Sequence, residues 1–559
     1  MRSFHLVGKR GAEGAKITGR PQRIADTVAG ISVAGLMLPE AVAYAAIAGL
    51  APERAILAAI AGGLAYAAVG RSRFAIVAPT SSSAAILAAT LAALPGTAAD
   101  KGLMATMVVA LVAVLFLLAA AMKLGSLSGF IARPVLRGFA FGLAITIIVR
   151  QLPTLLGLDV HAGGLPALAG AILSHIGAAN PASVAIGATA LALLLMLRQF
   201  TKLPAAPIVL LAGIALSFAT DLPQLGVRLV GPVAIAIELP QWPTFSFAVW
   251  SRLAQLALPL ALILFAESWG TIRSLALRNG DTVDANRELG AIGLANMASA
   301  LIQGMPVGAG FSAGSASEAA GATTRLTACV AAIALLVLVL TASGLVARIP
   351  EPLLAAIVIA ALSHSLAPRP LRRLFELGRD GWVALGAAVA VMLLGVLNGM
   401  LLAIALSLAA LLRRLAGVRI DELGRVGQSH DFVSLATHTD ARRIAGVAVF
   451  RPGAPLFFAN ADVCVGAVTK AAAALPAGIA IVLSLEQSDD LDSSAVDALA
   501  ELDTSLHANG QTLHLARAHD NVRAILARAG LDRLFAGAGF SVADAVDAFD
   551  REKTNDHAT

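Results

Sequence analysis

Charge is scarce in this chain. Asp, Glu, Lys and Arg make up 14% of its 559 residues, against about 25% in a soluble globular protein, which excludes a water-soluble globule as a description of the whole. Cysteine is nearly absent: Cys329 falls in an apolar stretch and Cys464 in a more polar region, so a structural disulfide between them is implausible. No Cys/His cluster has metal-ligand spacing, and no metal or other cofactor is expected. The sequence shows neither a nucleophile–base nor a metal constellation, so it does not read as an enzyme. The first 23 residues lack the apolar core of a cleavable signal; they carry Arg2, Lys9, Arg10, Lys16, Arg20 and Arg23 and read as a cytoplasmic tail.

What is present is apolar, and unevenly so. Hydrophobic residues reach 58% and mean hydropathy is +0.81. From Ile24 to Ala416 the chain runs in long Ala/Leu/Val/Ile blocks, whereas 417–559 reads like an ordinary soluble domain. A membrane-spanning helix needs ~20 apolar residues, so the first part holds about fourteen spans if some are half-helices. They are placed at 24–40, 52–69, 76–95, 103–122, 130–150, 180–198, 205–220, 251–270, 287–304, 312–323, 325–347, 351–365, 381–395 and 397–415. The expected organisation is a tail (1–23), a transmembrane domain (24–416), a linker (417–434), a cytoplasmic α/β domain (435–552) and a short tail (553–559).

The net charge of +6 needs no nucleic-acid partner. With the N-terminus inside and spans alternating, Arg71/Arg73, Lys123, Arg198/Lys202, Arg273/Arg278, Arg325, Arg369/Arg372/Arg373 and Arg413/Arg414 fall in cytoplasmic loops. Outside, Arg54, Lys101, Arg150, Arg228, Arg252 and Arg348 are scattered singly. That asymmetry is what the positive-inside rule expects. An even number of spans returns the C-terminal domain to the cytoplasm, so the reading is a multi-pass protein of the inner (plasma) membrane with both termini cytoplasmic and the lipid bilayer as its solvent.

Two apolar spans are broken in the middle, at Val77-Ala78-Pro79-Thr80-Ser81-Ser82-Ser83 and at Met305-Pro306-Val307-Gly308-Ala309-Gly310-Phe311-Ser312. They are the third span and the tenth, the same place in each half if the halves are seven-span inverted repeats. Paired broken segments of this kind point to a transporter's substrate site. Each would be extended backbone to mid-membrane and then a helix, whose free N–H groups and positive dipole end bind anions. Thr80, Ser81, Ser82 and Ser312 add hydroxyl donors, and Gly308, Gly310 and Gly314 let backbone approach a ligand. The alternative is that the small residues only permit close helix packing.

At these residues the chain resembles the SulP anion transporter family, the bacterial relatives of solute carrier family 26. Leu38-Pro39-Glu40-Ala41-Val42-Ala43-Tyr44-Ala45 is similar to the family's LPQGMAYA, and Phe130-Ile131-Ala132-Arg133-Pro134-Val135-Leu136-Arg137-Gly138-Phe139 to its FISRPVLTGF. Gln151-Leu152-Pro153 with Leu156-Gly157 and the pair Glu267-Ser268 follow in the family's order. The resemblance implies fourteen segments in two inverted repeats, a core moving against a gate, a central anion site formed by spans 1, 3, 8 and 10, and a homodimer. Tyr44 aligns with an aromatic at the family's site, and lies on the helical face of Glu40, four residues before it.

Two departures bear on the substrate. Glu40 stands where most of the family has Gln, and Phe311-Ser312-Ala313 lacks the Arg that many members carry after Phe-Ser. A buried carboxylate is costly to ionise; ionised, it would repel an incoming anion, and protonated, it could donate a hydrogen bond to one. Proton and anion would then bind together, with Glu40 as proton acceptor, and a Glu here resembles the branch that carries C4-dicarboxylates such as fumarate. The alternative is that Glu40 snorkels to an interface or caps a helix break after Pro39. Glu267 is the second coupling candidate, at the site or near the inner end of its span. Phe311 either walls the ligand or belongs to the core; Arg150 reads as snorkelling at an outer helix end; Glu318 reads as neutralising the first turns of the tenth helix. The rival cargoes are sulfate and bicarbonate, the latter with sodium, and the rival classes are an anion channel or voltage-responsive element and a signalling receptor whose membrane part only senses a ligand.

Residues 435–552 alternate strand-like runs (446–450, 479–483) with helical stretches (461–474, 493–508, 519–529, 542–549). They resemble a STAS domain, and Arg451–Asn460 looks like the family's RFDGPLYFANA strand entry. Asp492-Ser493-Ser494 matches the loop that carries a phosphorylated serine in anti-sigma-factor antagonists, though an Asp before a helix is commonly an N-cap. A cytoplasmic regulator acting at this domain is a further expectation. No glycine-rich phosphate loop supports nucleotide binding there.

Overall fold

The computed structural model describes residues 20–556 except 93, 95–96, 126–132, 161, 163, 198–204, 233–244, 368, 377–380, 418 and 536–539. The tail at 1–19, Phe130–Ala132 of the fifth-span motif, and Arg198 and Lys202 lie outside the described residues. Two compact units divide the chain between Ser407 and Leu408.

The first unit is helical. Its elements are α1 (Arg20–Ala48), α2 (Pro52–Val69), β1 (Val77–Pro79), α3 (Ser81–Ala92), α4 (Ala98–Ala121), α5 (Arg133–Leu156), α6 (Leu165–His175), α7 (Pro181–Leu197), α8 (Ala205–Ala219), α9 (Phe247–Asn279), α10 (Ala285–Leu301), β2 (Val307–Ala309), α11 (Phe311–Ala319), α12 (Leu326–Ala347), α13 (Glu351–Leu362), α14 (Arg369–Glu376) and α15 (Gly381–Ala416). Helices such as α4 and α12 are apolar all round, the pattern of a helix whose solvent is other helices and lipid. Leu211, Leu340 and Leu393 stand exposed on the unit's surface, and the core runs through α1, α2, α4, α9 and α13. Among the described residues six helices are long and apolar enough to cross a membrane, or seven if α6 and α7, bent by 118°, count as one. The remaining spans are the two half-helices, shorter apolar helices and α15, which is broken at Gly395 (φ 82°), a left-handed conformation that glycine adopts without strain. Together they make the fourteen-segment, seven-plus-seven inverted repeat, with half-helices at spans 3 and 10.

The two half-spans meet. β1 and β2 pair antiparallel with Val77 opposite Ala309, Ala78 opposite Gly308 and Pro79 opposite Val307, and each strand turns into a half-helix, α3 or α11. Extended backbone inside a membrane survives only if its polar groups find partners. Asn296 of α10 supplies two: its Nδ2 donates to the Val307 carbonyl (2.8 Å) and its Oδ1 accepts from the Val307 N–H (3.0 Å). The Ala309 N–H donates to Ser268 Oγ (3.0 Å), Ser299 Oγ donates to the Met305 carbonyl (2.6 Å) and Ser83 Oγ to that of Pro306 (3.2 Å).

Several boundaries differ from the sequence reading. α1 continues through Pro39 to Ala48 rather than stopping at 40, so Glu40 caps no helix break; and at 7% exposure inside the core it does not snorkel. α9 runs on to Asn279, and α6 occupies a stretch given no span. At one end of the unit, basic residues assigned to the cytoplasmic loops gather: Arg73 pairs with Asp281 (2.7 Å), Arg278 with Glu318 (3.1 Å), and Arg325 donates to the Gly70 carbonyl (2.6 Å).

The second unit is α/β. Its strands are β3 (Ile420–Val426), β4 (Phe432–Ser434), β5 (Ala441–Arg442), β6 (Val447–Pro452), β7 (Ala480–Ser484) and β8 (Thr512–Ala516), with helices α16 (Ala461–Ala473), α17 (Ser493–Ala508), α18 (Asp520–Arg528) and α19 (Val542–Asp556). The sheet order is β4-β3-β6-β7-β8, with β6, β7 and β8 parallel and β5 paired beside β3. Residues 417–434, expected as a linker, carry β3 and β4, and β3 lies inside the sheet against β6.

Candidate functional site

Four elements, α1, α3, α9 and α11, bring the sequence-predicted residues to one place. Glu40 sits in mid-α1, nearly inaccessible, and accepts a hydrogen bond from Ser312 Oγ (3.0 Å), the second residue of α11. Glu267 sits in mid-α9 and accepts from Ser82 Oγ, the second residue of α3, and from Thr80 Oγ1 (3.4 Å). Glu267 therefore stands beside the start of α3, twelve residues before the end of its helix. The two arrangements correspond: in each half, a carboxylate on the first long helix meets a serine hydroxyl at the start of the other half's half-helix. Tyr44, buried one turn along α1 from Glu40, lies within electrostatic reach of both carboxylates.

The two helix N-termini are finished differently. At α3, Thr80 caps: its N–H donates to Ser83 Oγ (3.0 Å), its Oγ1 accepts from the Ser83 N–H (3.2 Å), and Oγ1 also lies 2.9 Å from Ser82 Oγ. At α11 the N-cap is Gly310, with no side-chain cap. The N–H groups of its first turn therefore have no side-chain acceptor from the cap position and keep the anion-binding character of a helix start. A Cβ at Gly310 would find its nearest neighbour, Thr80 Cγ2, at 3.7 Å, so this position is open. Ser81, the first residue of α3, makes no side-chain hydrogen bond among the described residues. Ala313 is buried where an arginine would have been a fixed cation.

Other assignments change. Gly314 faces α9: a Cβ there would lie 2.9 Å from Leu275 Cδ1, so its smallness serves helix packing rather than ligand approach. Gly308 is the same case, with Leu264 Cδ1 and Ser268 Oγ each at 2.6 Å. Phe311 is 40% exposed, with the Arg278 guanidinium 5.9 Å from its ring centroid, so it stands at the edge of the site rather than in the core. Glu318 lies in the last turn of α11, not the first; it accepts from Asn279 Nδ2 (2.6 Å) and pairs with Arg278, so it does not neutralise the helix start. Sequence reasoning missed Asn296 and Ser299, which hold β2 in place. The available signal was an amide in the apolar second half of the Ala285–Leu301 helix, since a polar group in a membrane helix rarely lacks a task. In the second unit Asp492 is the N-cap of α17, accepting from the Ala495 N–H (2.9 Å), and also from the Phe458 N–H (2.7 Å). Ser493 and Ser494 follow it, both exposed.

Comparison with known proteins agrees with this architecture. The model of the Sulfate permease family matches residues 24–384 and that of the STAS domain residues 438–548. A Mycobacterium tuberculosis protein named a probable sulfate transporter is 32% identical over 538 residues, spanning 94% of this chain and 95% of its own. The structure of the murine solute carrier 26 family member A9 anion transporter in the inward-facing state superposes with a TM-score of 0.86 at 19% identity, over 96% of each chain. The transmembrane domain of a cyanobacterial bicarbonate transporter, BicA, gives a TM-score of 0.61 at 21% identity, over 70% of this chain and 99% of that one.

Proposed function

The chain belongs to the sulfate permease (SulP) family of anion transporters and ends in a STAS domain, and from that premise we propose that it is a proton-coupled symporter of a C4-dicarboxylate such as fumarate. The observation that carries the reading is the hydrogen bond between Ser312 and Glu40 at the uncapped start of α11. A carboxylate beside an anion-binding helix start is unfavourable when both it and the ligand are charged. With a proton on Glu40, the repulsion disappears and the acid becomes a donor. Glu267, held by Ser82 and Thr80, is the corresponding acid of the other half and provides a second place for a proton, so that a dianion crosses with its charge matched. Ser81, Ser312 and the backbone at Gly310 and Phe311 are the donors to the anion, joined by Ser82 and Thr80 once a proton on Glu267 frees their hydroxyls, and Tyr44 closes one side.

Sulfate is the second reading, favoured by the name of the Mycobacterium tuberculosis relative. Against it stands the absence of a fixed cation at position 313. Bicarbonate with sodium is a third cargo. The transporter is read as a homodimer in the plasma membrane with both termini cytoplasmic, and Ser493 or Ser494 as the place where a cytoplasmic regulator acts.

The experiment is uptake of radiolabelled fumarate into proteoliposomes with and without an inward proton gradient. Sulfate, succinate and bicarbonate serve as competitors, and a sodium gradient as the control. Fumarate accumulation that follows the proton gradient is the expected result. Sulfate accumulation with no fumarate flux would replace the cargo, and dissipative flux under every gradient would make the protein a channel.

A further inference from the structure

A cavity of about 550 Å³ opens beside the C-terminal half of α1, between α1, α5 and the start of α13. The positive-inside reading assigns this end of the unit to the outside. Its polar lining comes from Arg150, Gln151 and Thr154 of α5 and from Asp159, Arg228 and Glu351. The Arg228 segment is pinned to the start of α13 by two backbone hydrogen bonds, Glu351 N–H to the Arg228 carbonyl (2.9 Å) and Val230 N–H to that of Ile349 (3.0 Å). This wall is therefore part of the fold.

Charge in the cavity is unevenly satisfied. Arg228 pairs with Glu351 (3.1 Å) and stands 4.0 Å from Asp159, so both carboxylates already face a cation. Arg150 makes neither a hydrogen bond nor an ion pair among the described residues. An unpaired guanidinium in a concave site is a ligand for a carboxylate or an oxyanion, because its planar fork matches two oxygens at once. The Arg228 pairs are half-exposed and individually weak, so a bound anion can share that guanidinium as well. The volume lies within the range of small-molecule sites.

The cavity also has a relation to the central site. Ala43 and Ile47 line it, and both lie on the face of α1 that carries Glu40. One helical turn, ~5.4 Å, thus separates its wall from the acid, and Glu40 and Tyr44 beneath are buried, so the passage is closed in this conformation.

We propose that this cavity is a staging site where Arg150, with Gln151 and Thr154 as neutral donors, holds the incoming anion before the central site opens to it. The role rests on the transport reading above, but binding at the cavity does not require it. The sequence reading of Arg150 as a cation at an outer helix end gave the position without an occupant.

The test uses the full chain in proteoliposomes, with Cys329→Ala and Cys464→Ala and a reporter at Val160→Cys, an apolar lining position with no role in holding the anion. An anionic and a cationic methanethiosulfonate reagent are applied from outside. The anionic reagent is expected to react faster by on the order of ten-fold, and Arg150→Gln to abolish the preference while Arg150→Lys keeps most of it. Fumarate or sulfate, tested separately, is expected to slow the labelling, and which of the two does so identifies the ligand. A preference unchanged in Arg150→Gln, or labelling that neither anion slows, overturns the proposal; the protection measurement needs no Arg150 variant and stands if that variant misfolds. Flux is measured in the same vesicles. Protection without flux keeps the site and removes the transport reading, and flux without protection removes the site alone.

Discussion

The two half-helices at the centre share one backbone plan and differ in how their N-termini are finished. α3 is closed on itself: Thr80 and Ser83 satisfy each other, and Thr80 and Ser82 together serve Glu267. α11 is left open: glycine at its cap, one serine to Glu40, and a strand behind it anchored from outside by Asn296, Ser268 and Ser299. The same fold thus contains one helix start capped by its own side chains and one left without a side-chain cap. The comparison teaches that an inverted repeat brings two helix starts together, while local capping decides which of them has a side-chain acceptor for its first-turn N–H groups.

The largest effect that breaks this contrast is expected at Asn296. Asn296→Ala strips both backbone groups of Val307 of their partner, and two buried polar groups left unpaired cost about 2–6 kcal/mol together. Transport should be lost, and a fluorescence-detected thermal melt should shift well below that of the parent protein. A smaller, more informative effect follows from removing one serine at a time. Ser312→Ala deletes the single hydroxyl on Glu40, and a hydrogen bond to a charged group is worth about 1.5–3 kcal/mol. An increase in KM of roughly ten-fold or more is therefore expected, with a displaced pH dependence of uptake. Ser82→Ala leaves Thr80 on Glu267 and should change KM several-fold less, as measured by initial rates across pH. Equal effects from the two serines would remove the asymmetry.

Gly314→Ala comes next. The added methyl meets the mobile end of Leu275, so a modest fall in melting temperature with unchanged KM is expected. A rise in KM would return Gly314 to the ligand. The smallest effect is expected in the second unit. Burial pushes the Cys464 thiol up to about 12. Its reactive thiolate forms only as pH approaches that value, so alkylation of the folded protein, followed by mass spectrometry, should be negligible at pH 8 and appear on unfolding.

Much of this was legible in the sequence for definite reasons. Pro79, followed by Thr80 and three serines, and Pro306, set among Gly304, Gly308 and Gly310, gave away both half-spans, because little else interrupts a membrane helix there. Glu40, Ser312, Ser82 and Glu267 were legible as candidates, and the structure brings all four together. The passage of α1 through Pro39 was hidden, since a proline signals a break unless packing holds the helix across it. Asn296 was hidden because its partner is backbone, eleven residues on, and side-chain patterns carry no record of backbone demand. β3 was hidden because Ile420-Asp421-Glu422-Leu423-Gly424-Arg425-Val426 is too polar to read as an interior strand. It is held by pairing on both sides rather than by apolar alternation.

The central claim is that Glu40 couples the proton to the anion, and one measurement tests it directly. Purified protein carrying Glu40→Gln is reconstituted beside the parent protein, and fumarate accumulation is followed under an inward proton gradient and then under none. The account expects the variant to equilibrate fumarate across the membrane at a measurable rate but to lose gradient-driven accumulation, since glutamine keeps the hydrogen bond with Ser312 and cannot take up a proton. Accumulation by the variant equal to that of the parent protein would contradict it.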